Sequence, residues 1–400
     1  MRPGSETRAL ARALAEAPEQ RLAKAVALLD ALPARGAADA LIAPLRGQFR
    51  TMGIPRRMNF GRLLMLPLDP VIRDATDWVA ASATVPRTAL PPLIAAVRAA
   101  LPDLAVATEA GLQGATDAAS ATLCLGPGLW SAAVAPLRAL AAASPPADLA
   151  ASWAATGLAA RMLAPLARGV AAVLEAAAAL RDPTAPEDPI QLVERVLDTA
   201  ALHGAQPWAL VVAAALARAA DPAGVALVAI ERALSGDPAL HQGMEQALAA
   251  TITGLEQEMQ APIRAAAATA SRAARLIETM APRAGPGCRV ALAAFGGRMA
   301  RTCRARFAAE LEANLLVPLR SEPAVTGAPA LAALEHVARG LRGFEAAARR
   351  IDTGSSYDIL LRQAVGAVSA VPGPILERVD RARLVEILAG PEAAMDVLGG

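Results

Sequence analysis

Apolar residues recur at three- and four-residue spacing along most of this chain, as in RALARALAEA near the start and LEHVARGLRGFEAAARR around residue 340. That period matches the helical turn and lays the apolar side chains along one face. No convincing run of alternating β-branched residues breaks the pattern, so strands are expected to be minor at most. Helix starts are marked by an Asp directly before a Pro, at Asp69-Pro70, Asp182-Pro183, Asp188-Pro189, Asp221-Pro222 and Asp237-Pro238. The Asp oxygen accepts from free first-turn amides, while Pro at the first helical position gives up an amide that had no partner. With the Gly and Pro breaks, these signals predict helices near 5–16, 18–32, 37–50, 70–83, 88–100, 103–121, 128–143 and 146–180. A second set is predicted near 189–203, 206–219, 222–234, 238–281, 288–317, 328–351, 355–370 and 374–389. Gly126-Pro127-Gly128 and Gly285-Pro286-Gly287 read as helix breaks.

The expected architecture is therefore all-α, antiparallel helical hairpins arranged as a bundle or an irregular α-solenoid-like stack. One long hairpin over 238–317 is its largest element. The Pro- and acid-rich segment from Arg181 to Pro189 divides an N-terminal helical region, 1–181, from a C-terminal one, 187–400. Alanine supplies 105 of the 400 residues, so the core is expected to be built from Leu, Val and Ala ridges with few large anchors.

A formal charge of +2 makes the chain neither a polycation nor an acidic tail protein, so any electrostatic message is local. Three cysteines with no CxxC spacing fit a reducing, cytoplasmic setting rather than a disulfide framework. The first residues lack the features of a signal peptide. The most apolar window, Trp208 to Ala217, ends at Arg218 and falls short of the roughly 20 residues a bilayer span needs, so no transmembrane segment is expected.

Two stretches depart from this background. Residues 44–74 contain no alanine and carry Arg46, Arg50, Arg56, Arg57, Arg62 and Arg73 among Pro and Leu. One reading is an ordered loop in which Arg56, Arg57, Asn59 and Arg62 bind an anionic group. The other is a packed connection with Phe49, Phe60, Leu63, Leu64, Met65 and Leu66 buried and arginines satisfying helix C-terminal carbonyls. The second departure is electrical: from Pro262 to Phe307 there are nine arginines against the single acid Glu278. In an antiparallel hairpin turning near residue 285, position i faces about 570 minus i, which sets Arg272 level with Arg298 and Arg264 with Arg306. Like faces like, so the turn end is expected to be positive unless acids such as Glu187, Asp188, Glu194 and Asp198 cover it. Arg272, Arg298, Arg301 and Arg304 are the binding candidates there.

Signals for catalysis are thin. His203, His241 and His336 have no His or Cys at ligand spacing, and the usual phosphate-cradle, nucleophile-elbow and metalloprotease motifs are missing, so no metal or cofactor is expected. Cys288 and Cys303 sit among arginines, whose charge would lower a thiol pKa; inert buried thiols are the competing reading. The segment Arg349 to Asp358 holds the only tyrosine, and Gly354 with a Ser N-cap accounts for it as a helix junction. The expectation is a non-enzymatic interaction or scaffolding protein that holds an acidic protein or anionic ligand through arginine-rich surfaces. A small-molecule binder or enzyme with a pocket lined by residues 44–74 is the alternative, and nucleic acid is disfavoured because the arginine-rich region offers only Phe295 and Phe307 for stacking and resembles no recognised binding fold.

Overall fold

The computed structural model describes residues 58–399 except 75–77, 79–81, 116, 182–187, 220, 221, 236, 321–327, 353 and 372–375, together with residues 21, 22, 24, 25 and 28. The expectation of an all-α protein holds: helices dominate, and the strands among the described residues are one parallel pair of two residues each, β1 (Ile72–Arg73) and β2 (Val85–Pro86). The helices are α1 (Phe60–Met65), α2 (Leu90–Ala100), α3 (Pro102–Gly114), α4 (Ala118–Ala142), α5 (Ala147–Ala154), α6 (Leu163–Ala179), α7 (Pro189–Leu202), α8 (Ala205–Arg218) and α9 (Pro222–Leu234). They continue as α10 (Pro238–Glu258), α11 (Ile263–Met280), α12 (Pro286–Leu311), α13 (Val317–Arg320), α14 (Ala328–Ala348), α15 (Ser356–Ser369), α16 (Arg378–Ala389) and α17 (Pro391–Gly399). Two compact units emerge, one mainly Ile54–Gly254 with Thr279–Arg289, the other mainly Leu255–Glu278 with Val290–Gly400. The division falls at Gly254, whereas the expected linker at 182–187 lies outside the described residues.

In the N-terminal unit α6 is hydrophobic almost all round, and from Leu163 to Ala179 only Arg168 is exposed. Such a helix is stable in water only when wrapped by others. Trp130 of α4 is buried and its indole Nε1 donates to Leu63 O of α1 at 2.9 Å, satisfying the one polar atom of a large core side chain. Two of the Asp signals cap as read: Asp188 Oδ1 accepts from Ile190 N at 3.1 Å and Asp237 Oδ1 from Ala239 N at 2.8 Å, while Asp182 and Asp221 lie outside the described residues. Asp69-Pro70 departs from expectation. It lies inside a 3-10 helix, Leu66–Val71, that gives way to β1, so the described residues of 70–83 form no α-helix and Asp69 pairs with Arg218 at 3.3 Å.

Other helix limits also differ from the sequence reading. Gly126-Pro127-Gly128 lies within α4 and does not break it. The single helix expected over 146–180 is interrupted at Gly157, whose φ of 77° is one that side-chain-bearing residues rarely adopt. The 238–281 helix is two helices, α10 and α11, parted at 259–262, and Pro262 supplies the physical reason because it disfavours a helical residue before it. The long hairpin is thus a helix followed by a shorter hairpin.

The C-terminal unit is tied together by buried acids, each shared between two guanidiniums. Glu335 of α14 accepts from Arg339 at 2.7 Å and from Arg383 of α16 at 2.5 Å. Glu345 accepts from Arg342 at 2.8 Å and from Arg349. Carboxylates this buried persist as ions only with such partners.

Candidate functional site

A Cβ built on Gly296 of α12 would lie 3.6 Å from Ile277 Cδ1 of α11, so position i faces about 573 minus i, close to the expected register. Like does face like, but six of the nine guanidiniums have acceptors, three of them carboxylates. Arg298 pairs with Glu256 at 2.7 Å, Arg272 with Glu258, and Arg304 with Asp352 at 2.5 Å. Arg306 donates to Met259 O, Arg264 to His336 Nε2 at 3.2 Å and Arg283 to Thr279 O at 3.3 Å. Among the described residues only Arg275, Arg289 and Arg301 of the nine lack an acceptor. The expected positive charge is therefore cancelled only in part, while the number of guanidiniums without an acceptor falls to three among the described residues. Two of the three neutralising acids, Glu256 and Glu258, come from the end of α10 and the third, Asp352, from the segment after α14, while Asp188 caps its own helix and Asp198 pairs with Arg232 at 3.0 Å.

Within residues 44–74, Phe49, Arg56 and Arg57 lie outside the described residues. Asn59 is the N-cap of α1, its Oδ1 accepting from Arg62 N at 2.9 Å, and Arg62 is half-buried on that helix. Phe60, Leu63, Leu64 and Met65 are buried. Arg73, only 5% exposed, donates to Pro70 O at 2.8 Å, Ile72 O at 2.9 Å and Ala250 O of α10 at 2.7 Å. This described part behaves as the packed connection weighed above, with an arginine satisfying a helix carbonyl. None of its described residues lines the cavity along α4 and α6 or the cleft of the C-terminal unit.

Where side chains do converge is a cleft of ≈ 920 Å³ in the C-terminal unit, walled by the last turns of α14, by α15, and by the junction of α16 and α17. Leu361, Val365, Leu388 and Ala389 give it apolar surface, and Arg342, Glu345, Arg349, Asp358 and Arg362 supply all of its charge. The positions follow from helical spacing: Arg342, Glu345 and Arg349 at three and four residues share one face of α14, as Asp358, Leu361, Arg362 and Val365 share one of α15. Glu345 is buried beneath Arg342 and Arg349. Arg349 also reaches Asp358, and hydrogen bonds from that guanidinium hold the Asp358 carboxyl below its ordinary range. The same bonds, with those to Glu345, push Arg349 upward, so it stays charged throughout the accessible pH range.

Arg362 differs from its neighbours. Its Nε donates to Asp358 O at 3.3 Å, and neither terminal nitrogen has an acceptor among the described residues. Three guanidiniums thus face two carboxylates around an apolar floor. Tyr357, placed by the same segment, is fully buried, stands edge-on to Phe307 with ring centroids 5.4 Å apart, and lies 5.8 Å below the Arg349 guanidinium. Reading 349–358 as a plain helix junction missed this. Ser355 makes no side-chain capping bond, and the segment instead delivers Arg349 and Asp358 to the cleft and Tyr357 to the core. The lone tyrosine beside a run of arginines was the available signal.

A second cavity, ≈ 760 Å³ along α4 and α6, is charge-matched: Arg138 pairs with Glu175 at 2.7 Å and donates to His203 Nε2 at 2.8 Å. By length and composition Ala118–Ala142 and Ala160–Ala179 could cross a membrane, which corrects the sequence reading that no segment is long and apolar enough. Burial inside the unit accounts for much of the apolar character of the second. Among the cysteines, Cys124 is exposed while Cys288 and Cys303 are buried. Burial pushes the Cys303 thiol up to about 11, outweighing the lowering by Arg304 and Arg306, and raises Cys288 as well, with Glu245 adding to it. Proximity to arginine therefore does not activate either thiol. Among the described residues no cluster of His, Cys, Asp and Glu could hold a metal ion. No family model, no curated protein and no solved structure matches the chain, so its function has to be read from this geometry.

Proposed function

We propose that this is a helical binding protein that holds an anionic ligand or partner through guanidiniums of its C-terminal unit, with the cleft bounded by Arg342, Arg349 and Arg362 as the seat. The single observation that carries the reading is Arg362, whose unclaimed fork of donors sits at the rim of an apolar cavity where positive charge is in excess by one. Both carboxylates of the cleft are neutralised by arginine, which suits holding an anion better than moving a proton. The test is a thermal-shift screen of organic anions against the full chain and its Arg362→Ala variant. A ligand present at about 100 times its Kd stabilises the folded state by roughly 2.7 kcal/mol. At least one anion should stabilise the wild type and not the variant; equal shifts in both, or none in either, overturn the proposal.

A second reading has its own support. Arg275 and Arg301 are exposed and lack acceptors among the described residues, so a reduced basic surface remains for an acidic protein. Affinity purification comparing wild type with an Arg275→Glu, Arg301→Glu variant tests it. Retention of every partner by the variant removes this reading and leaves the cleft untouched.

A further inference from the structure

Resting on the cleft assignment above, we infer that the ligand is a small organic monoanion, a carboxylate head on an apolar body, rather than a polyphosphate or an acidic peptide. Charge is the first argument. Arg342 and Arg349 already serve Glu345, and Arg349 serves Asp358 as well, so the excess amounts to the single guanidinium of Arg362. One negative charge completes the balance. A second or third would be brought against Asp358 and the buried Glu345, neither of which can move away without abandoning its arginine.

Shape is the second argument. The planar fork of a guanidinium presents two parallel N–H groups that match the two oxygens of a carboxylate, and both terminal nitrogens of Arg362 are free to form that pair. Beyond the head lie Leu361, Val365, Leu388 and Ala389, which offer nothing to a second polar group but exclude water from an alkyl or aryl chain. The small side chains of Ala346, Ala389 and Ala393 are what keep the space open, and ≈ 920 Å³ lies within the range of small-molecule sites. An inorganic anion would leave that floor unused, and an alcohol would leave Arg362 without its counter-ion.

The experiment is isothermal titration of the full chain with decanoate kept below its micelle concentration, alongside decan-1-ol, acetate, tripolyphosphate and a poly-glutamate peptide. Decanoate should bind one to one, at least 10-fold tighter than decanol or acetate. Arg362→Ala should weaken it at least 10-fold with unchanged circular dichroism and Tm, since Arg362 is exposed and its side chain makes one hydrogen bond among the described residues. Arg362→Lys, which keeps the charge and loses the fork, should fall between the two. Ala393→Phe should block decanoate by filling the floor while acetate is unaffected. Arg362-dependent binding of tripolyphosphate or poly-glutamate without decanoate overturns the monoanion inference but leaves the cleft reading standing. Decanoate binding that ignores Arg362, or no binding of any probe, removes both. Sedimentation with phosphatidylserine vesicles separates a free acid from a bilayer headgroup, and Arg362-dependent pelleting without decanoate binding also overturns the inference.

Discussion

Two glycines two residues apart on α4 should respond to alanine with opposite signs. A Cβ on Gly126 would stand 2.7 and 2.8 Å from two ring carbons of Trp130 and 3.2 Å from a third. Carbon atoms pack comfortably at about 3.5–4.0 Å, so the indole would have to retreat by close to 1 Å. Trp130 has little room for that: it is 1% exposed and fixed by its bond to Leu63 O at 2.9 Å. Overpacking of this kind costs about 1–3 kcal/mol, and a stretched buried hydrogen bond adds to it. Against this, replacing a mid-helix Gly by Ala contributes roughly 1 kcal/mol. Gly126→Ala is therefore expected to destabilise by about 1–2 kcal/mol, whereas Gly128→Ala, which is exposed and meets nothing within 4 Å, should stabilise by up to roughly 1 kcal/mol. All four tryptophans, at 78, 130, 153 and 208, belong to the N-terminal unit, so the urea midpoint by tryptophan fluorescence reports on that unit. The midpoint should fall for the first variant and rise for the second. Equal shifts of the same sign would refute the packing argument.

Further outcomes follow from the same structure. In native protein one thiol, Cys124, should react promptly with a disulfide reagent at pH 8, and all three only after unfolding; early reaction of Cys303 would contradict its burial. Because burial raises Cys303 from 9.0 to about 11, the unfolded chain loses that proton first, so the contribution is intact below pH 9 and is lost between pH 9 and 11, by about 2–3 kcal/mol. Urea midpoints across that range should decline less steeply in Cys303→Ala. Glu345→Gln removes a buried charge shared by Arg342 and Arg349, which should lower stability by about 1–3 kcal/mol in thermal melts and raise the affinity of the cleft for anions, tripolyphosphate above all.

Much of the fold was legible because helical period and capping chemistry are local. Asp188 and Asp237 cap as their neighbours dictate, and α7, α8 and α9 run close to the predicted limits. Failures came where tertiary packing outvoted local propensity. Gly126-Pro127-Gly128 has the chemistry of a break, yet continuing the helix is what buries Leu129 and Trp130 and joins α4 to α1 through the indole. At Asp69-Pro70 the capping signal was present but the following residues, Ile72 and Arg73, found a better place pairing with Val85 and Pro86. The cleft was illegible for a different reason: its walls come from α14, α15, α16 and α17, and nothing in a one-dimensional pattern states which helix faces meet.

The arginine-rich hairpin shows how one boundary controls an electrostatic conclusion. Sequence counting was right about the imbalance, nine arginines against one acid, and nearly right about the register. It failed at Pro262. Were α10 and α11 one straight rod, Glu258 would lie 14 residues from Arg272, about 21 Å along the axis and out of reach. With the helix parted at 259–262, Glu258 meets Arg272, Glu256 meets Arg298 and the freed Met259 carbonyl accepts from Arg306. A single proline thus determines that these three guanidiniums are spent inside the fold, so the proposed binding of an acidic partner or anion rests on Arg275, Arg301 and, in the cleft, Arg362.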